Sequence, residues 1–214
     1  MVYRDRTQAG QILSKYLSEY INKDSVVLAL PNGGIPVGLE ISKKLNIDFD
    51  LVFVSKITPK FNSEVGYGSV SESGITNLNK DLIAMFGIKK HEVEEDIEKT
   101  KRKISQRIKN YKLKKRININ GKTVILVDDG IASGYTMINA VETVKKRNAK
   151  EIIIAVPTAP LSSYNKLLDY TDQIICPDIR DVYSFAVADA YENWYDISLE
   201  SAIKFLNGYG YTAN

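Results

Sequence analysis

The sequence predicts an α/β fold built on a parallel sheet. Short apolar runs at residues 25–30, 50–54, 124–127, 151–156 and 173–176 alternate with stretches of helical spacing. Two of the runs, 25–30 and 124–127, pass directly into glycine-bearing turns that open helices. The runs are nearly continuous in Val, Ile and Leu, as expected of strands covered on both faces. Strands and helices alternating at this spacing imply right-handed crossovers within one sheet.

Composition narrows the chemistry. The 214 residues fit one domain, with a 44% apolar fraction that can fill a sizeable core. A net charge of +3 is too small to argue for nucleic acid. No apolar run approaches the roughly 20 residues of a membrane span, and the first residues show no signal pattern, so no membrane partner is expected. Cys176 is the only cysteine, which excludes an intrachain disulfide and fits a reducing, cytoplasmic setting. His91 is the only histidine and sits in a charged stretch, which disfavours a His/Cys zinc site and a Ser-His-Asp triad. Carboxylates, backbone amides and cations are left to do the chemistry.

The elements follow in order. Residues 3–20 open with Tyr-Arg-Asp-Arg and then place Ile12, Leu13, Tyr16, Leu17 and Tyr20 at helical spacing. Arg4 and Arg6 are either solvated or reach an anionic ligand. The strand at 25–30 runs into Pro31-Asn32-Gly33-Gly34-Ile35-Pro36, then a helix over 37–45. This turn either permits tight helix-on-strand packing or cradles a phosphoryl group. Beyond the strand at 50–54, Lys56 faces the same ligand edge. Residues 57–75 mix Pro, Gly, Ser and Asn and predict a long loop, or a hairpin with a mobile tip, of the kind that closes over ligands. Lys60 and Glu64 lie in this lid without an assigned role.

Asn77 or Asn79 caps a short helix over 79–86. A long charged helix over 90–115 shows a stripe of Val93, Ile97, Thr100, Ile104, Ile108 and Tyr111. Its acids come early and its bases late, complementing the helix dipole. Without aromatic or Gly-rich interleaving, the basic half reads as a solvated face rather than a nucleic-acid surface. A helix runs from Thr136 to Arg147, another spans 161–170, and Pro177 stops the strand at 173–176. The final portion differs in kind. Residues 184–187 are apolar, and 189–196 join aromatics to acids, suiting a planar heterocycle or, equally, a core or dimer interface.

The decisive stretch is Val-Ile-Leu-Val-Asp-Asp-Gly-Ile-Ala-Ser-Gly-Tyr-Thr at 124–136. Ligands of open parallel sheets bind outside the carboxyl ends of the strands. A small-residue turn into a helix N-terminus aims several N–H groups at one spot, as a phosphate requires. The adjacent acids suit sugar hydroxyls or a hydrated metal ion. Together they describe a site for a ribose 5-phosphate.

This stretch resembles the signature of the type I phosphoribosyltransferases. The likeness extends to Tyr3-Arg4-Asp5-Arg6 with Ala9-Gly10, to residues 30–37, to 156–160 and to 185–191, and so covers most of the chain. It points to the branch without an assigned nucleobase. The resemblance implies a Rossmann-like core over 21–180 with a lid at 57–75, a helical insertion at 79–116, and a C-terminal hood at 181–214 joined by an N-terminal arm, 1–20. It implies transfer of ribose 5-phosphate from phosphoribosyl diphosphate (PRPP) to a nucleobase, with Mg²⁺ as cofactor and a homodimer as the assembly. Asp128 and Asp129 would hold the ribose hydroxyls and, through water, the metal. Gly130, Ile131, Ala132, Ser133, Gly134 and Thr136 would bind the 5-phosphate. Pro31, Asn32, Gly33, Gly34 and Ile35, with Lys56, would bind the diphosphate. Phe185, Asp189 and Tyr191 would meet the base, with a purine slightly favoured by the likeness of 187–197 to the 6-oxopurine enzymes. Members often carry Arg where this chain has Asn32 and Ser55, so two cations are missing near the expected diphosphate. The rival readings are a PRPP- or nucleotide-sensing regulator without turnover, and a metal-dependent phosphohydrolase using the two acids.

Overall fold

The computed structural model describes residues 1–21, 24–62 and 65–211; Glu64, placed above in the lid, lies outside them. Its centre is a five-stranded parallel sheet made of β1 (Ser25–Ala29), β2 (Asp48–Leu51), β6 (Thr123–Val127), β7 (Glu151–Ala155) and β9 (Gln173–Ile175), in the order β2-β1-β6-β7-β9. Side chains alternate between the two faces. Val27, Ala29, Ile125, Val127, Ile153 and Ala155 enter one core with Leu13 and Leu17 of α1 (Arg6–Leu17) and Ile35 and Ile41 of α2 (Gly34–Leu45). Val26, Leu28, Val124, Leu126, Ile152 and Ile154 enter the other with Met137, Val141 and Val144 of α5 (Tyr135–Lys146) and Leu167 of α6 (Leu161–Leu167). Burial on both faces is the physical reason the strands read as continuous apolar runs.

Two registers position the site. β1 and β6 are aligned end to end, with Ala29 opposite Val127, and Leu30 N–H donates to Val127 O at 2.8 Å. The turn after β1 and the acids after β6 therefore emerge side by side. α2 begins at Gly34, earlier than expected, because Pro36 occupies the first turn, where a missing N–H costs nothing.

The run at 50–54 is not one core strand. β2 ends at Leu51, and the chain leaves the sheet to form β3 (Val54–Ile57), which pairs antiparallel with β4 (Gly68–Ser71) and that with β5 (Thr76–Leu78). Lys56 is accordingly on this small sheet, not on the edge of the core sheet. The hairpin alternative for 57–75 is the one that forms, and buried side chains dock it on α5. Asn139 Nδ2 donates to Ser69 O, Ser69 Oγ and Ile75 O at 3.0–3.2 Å.

α3 (Lys80–Met85) is capped by Asn79, whose Oδ1 accepts from Leu82 N–H at 3.1 Å. α4 (Lys90–Tyr111) buries Val93, Thr100, Ile104 and Tyr111 of the expected stripe, and also Asp96, which accepts from Tyr67 OH at 2.9 Å. Two short strands, β8 (Thr158–Pro160) and β10 (Asp178–Arg180), pair in parallel beside the core. The N-terminal arm meets the hood: Tyr3 N–H donates to Ala190 O and Glu192 N–H to Tyr3 O. A last helix, α7 (Leu199–Gly208), is an addition to the expected elements; Ser198 caps it, and Ala202 and Leu206 join the α2-side core. Among the described residues no helix is long and apolar enough to cross a membrane.

Candidate active site

A cavity of about 280 Å³ opens at the carboxyl end of β6. Lys56, Asp128, residues 130–134, Thr136, Met137 and Val187 line it. A larger hollow of about 720 Å³ runs along α1 between Gln8, Ser14, Lys15 and Lys44, but it lies on helix surfaces, not at strand ends.

The loop at 130–134 has a definite orientation. Ser163 Oγ donates to Ala132 O at 2.5 Å, and Lys166 Nζ donates to Ser133 O at 3.0 Å. Both donors come from α6. In a trans peptide the carbonyl and the following N–H point in opposite directions. The N–H groups of Ser133 and Gly134 therefore point away from α6. Gly134 adopts φ +81°, which glycine alone tolerates without strain, and α5 starts there without a side-chain cap. Its first-turn donors are left for an anion. Ser163 and Lys166 were missed in the sequence because nothing local marks them.

The two acids are not equivalent. Asp128 stands at the cavity wall. Burial, then the neighbouring charge of Asp129, pushes its carboxyl well above the usual carboxylate range, while its Oδ1 accepts from Asp129 N–H at 2.9 Å. Asp129 is absent from the cavity lining; its Oδ2 accepts from Arg6 Nε at 2.7 Å. It also abuts the turn after β1, since a Cβ on Gly33 would fall 2.2 Å from Asp129 Oδ2. Tyr191 OH donates to Asp129 O at 2.6 Å. Asp128 thus lines the cavity, while the Asp129 carboxylate is held between Arg6 and the turn at Gly33.

The turn after β1 also departs from expectation. The Asn32 side chain is occupied: Nδ2 donates to Ile197 O at 2.7 Å, and Oδ1 accepts from Arg107 Nη2 at 3.1 Å and from Tyr111 OH. The Ile35 side chain is fully buried in the core. What the turn offers an anion is therefore the backbone at Gly33, because Gly34 N–H donates to Leu30 O at 3.0 Å and Ile35 N–H to Asn32 O at 3.2 Å. Arg107, assigned above to a solvated helix face, instead bonds Pro31 O at 3.2 Å and brings a cation to this turn.

The base-binding expectations fare less well. Tyr191 is 6% exposed, packed 5.8 Å from Tyr3 and 5.5 Å from Trp194 between ring centroids, so its face is not available for stacking. Asp189 is exposed and Phe185 half-buried, and neither lines the cavity. Val187 is the hood residue that does, packed so closely on Gly130 that a Cβ there would fall 2.5 Å from Val187 Cγ1.

A sequence model of the phosphoribosyl transferase domain matches residues 6–192, from Arg6 to just past Tyr191. The chain belongs to the phosphoribosyltransferase family. A Mycobacterium tuberculosis protein provisionally named a phosphoribosyl transferase, recorded from two strains, is 29% identical over 207 residues. The alignment covers 96% of this chain and 46% of that protein, so the chain spans about half the length of these relatives. The crystal structure of TT1426 from Thermus thermophilus superposes with a TM-score of 0.81 at 26% identity, over 100% of both chains. The phosphoribosyltransferase signature at 128–136 and the cavity coincide in this fold, and Arg6, where the family match begins, is the cation paired with Asp129.

Proposed function

We propose that the chain transfers ribose 5-phosphate from PRPP to a ring nitrogen of a nucleobase. The C1–O bond to diphosphate breaks, a C1–N bond forms, and the ring nitrogen gives up its proton. The observation that carries this reading is the cavity at the end of β6, where one carboxylate, a pinned loop of backbone amides and Lys56 converge. Asp128 accepts from the ribose hydroxyls. The amides of Ser133 and Gly134, the open end of α5 and Thr136 receive the 5-phosphate. The backbone N–H at Gly33, with Lys56, receives the diphosphate. Catalysis by such a site is positioning and charge stabilisation, with no protein nucleophile. Val187 limits the space beside Gly130 and bounds the base; the likeness of 187–197 to 6-oxopurine enzymes favours a purine.

The donor set suits Mg²⁺ in one specific way. Among the described residues there is no cluster of three or more metal-ligating side chains, so an all-protein cage is not on offer. One cavity carboxylate, Asp128, matches an ion that keeps several waters and rides on substrate phosphates. When bound, the ion neutralises charge on the departing diphosphate.

The test is diphosphate release from PRPP and Mg²⁺ across a nucleobase panel. Base-dependent release supports the reading. Phosphate release from sugar phosphates without any base would make the protein a phosphohydrolase, and PRPP binding without release would make it a sensor.

A further inference from the structure

Arg6 has no role in the reading above, yet it is the most constrained cation at the carboxyl edge. It is 5% exposed. Nε donates to Asp129 Oδ2 at 2.7 Å and Nη1 to Tyr195 O at 2.8 Å. The guanidinium carbon lies 4.0 Å from the Trp194 ring centroid, with the Tyr195 and Tyr191 rings at 5.5 and 5.7 Å. A buried cation needs a partner charge and satisfied donors, and a planar guanidinium between rings gains from both stacking and the fork of hydrogen bonds.

The contacts fall in two separate parts of the site. Asp129 is in the acid loop, and its carboxylate fills the space beside Gly33 in the turn after β1. Trp194 and Tyr195 are in the hood. One side chain from the N-terminal arm thus couples acid loop, turn and hood.

We propose that Arg6 is the positioning residue of the PRPP site: by holding Asp129 against Gly33 it fixes the spacing between the acid loop and the diphosphate turn, and so sets affinity for PRPP rather than the speed of the chemical step. This rests on the PRPP reading of the cavity. Arg6 is not among the residues that line the cavity; its hydrogen bond reaches the site through Asp129, and its charge also acts on Asp128. Lysine at this position keeps the charge but cannot reach Asp129 and the Tyr195 carbonyl together with a flat face on Trp194.

The chain carries its own reporter. Trp194 is the only tryptophan, and it lies on Arg6. A ligand that draws the two loops onto itself moves Asp129, and with it the cation on the indole face.

The experiment is calorimetric titration of PRPP with Mg²⁺ into wild type, Arg6→Lys and Arg6→Met, followed in parallel by Trp194 emission, with kcat and KM measured where turnover occurs. The expected result is a Kd raised roughly tenfold or more in Arg6→Met, a smaller rise in Arg6→Lys, KM moving with Kd and kcat nearly unchanged. PRPP changes Trp194 emission in wild type, and less in Arg6→Met. If Arg6→Met does not fold, Arg6→Lys, which keeps the charge pair, carries the test with the same sign. Wild type that binds PRPP while a folded variant binds it equally well, with only its melting temperature lowered, overturns the positioning role and leaves the site reading intact. Wild type that shows no heat with PRPP overturns the site reading, and this inference with it.

Discussion

Replacing Gly33 by alanine tests the contact on which the site geometry turns. A Cβ at Gly33 would lie 2.2 Å from Asp129 Oδ2 and 2.4 Å from its Cγ, so something must move by more than an ångström. Two responses are open. Asp129 can swing away, lengthening its 2.7 Å bond to Arg6 Nε, between side chains only 6% and 13% exposed. Losing a hydrogen bond of that charged, buried kind costs about 1.5–3 kcal/mol. Alternatively the turn lifts off β6, an overpacking cost of about 1–3 kcal/mol. At roughly 2–4 °C per kcal/mol for a domain of this size, either response lowers the melting temperature by roughly 2–12 °C. The assay is thermal unfolding, with Trp194 emission read on the folded protein. Gly208→Ala is the control: nothing lies within 4 Å of its Cβ position, and helical alanine is neutral or better. A Gly33→Ala protein that melts like wild type with unchanged emission would refute the packing of the acid loop on the turn.

Two further outcomes follow from the same geometry. Asn139→Ala leaves the Ser69 and Ile75 carbonyls without their buried donor and is expected to cost about 2–4 kcal/mol, with faster hydrogen exchange at 68–78 than in the core strands; unchanged exchange there would mean the small sheet is not held by α5. Asp178 tests charge at the hood's edge. Burial alone would raise its carboxyl, but the Met1 ammonium, Thr158 Oγ1 and Arg180 Nε outweigh burial and hold it below the usual 3.8. The stability this gives is present above the unfolded value and is lost as pH falls through the lowered folded one. Asp178→Asn should therefore be about 1–3 kcal/mol less stable than wild type at pH 7, with the gap closing below roughly pH 4; a gap independent of pH would contradict it.

The central strands were legible because burial on both faces leaves little room for polar residues in them. The 124–136 stretch was legible because a strand that passes through small residues into a helix start leaves a pattern of fixed spacing. Other features depend on partners far along the chain. Asp128 and Asp129 are indistinguishable locally; what separates them is Arg6, 123 residues away, and the missing Cβ of Gly33. Asn32 reads as a turn residue until Arg107 and Tyr111 arrive from α4, 75 and 79 positions on, to occupy its amide. Tyr191 reads as a base-stacking ring until Tyr3 and Trp194 cover it. The break between β2 and β3 was hidden because 50–54 is apolar throughout its second half, and the turn at Val52 and Phe53 is buried rather than polar. α7 was different: its Ser198 cap and its spaced Ala202 and Leu206 were readable in the sequence.

PRPP affinity is the most direct measure of the site. Titration of PRPP with Mg²⁺ into wild type and Asp128→Asn, with melting curves confirming that both are folded, is expected to show saturable binding to wild type and a Kd raised roughly tenfold or more in the variant, as loss of a charge-assisted bond to the ribose hydroxyls requires. Equal affinity in the two folded proteins would contradict the assignment of this cavity to a phosphorylated pentose.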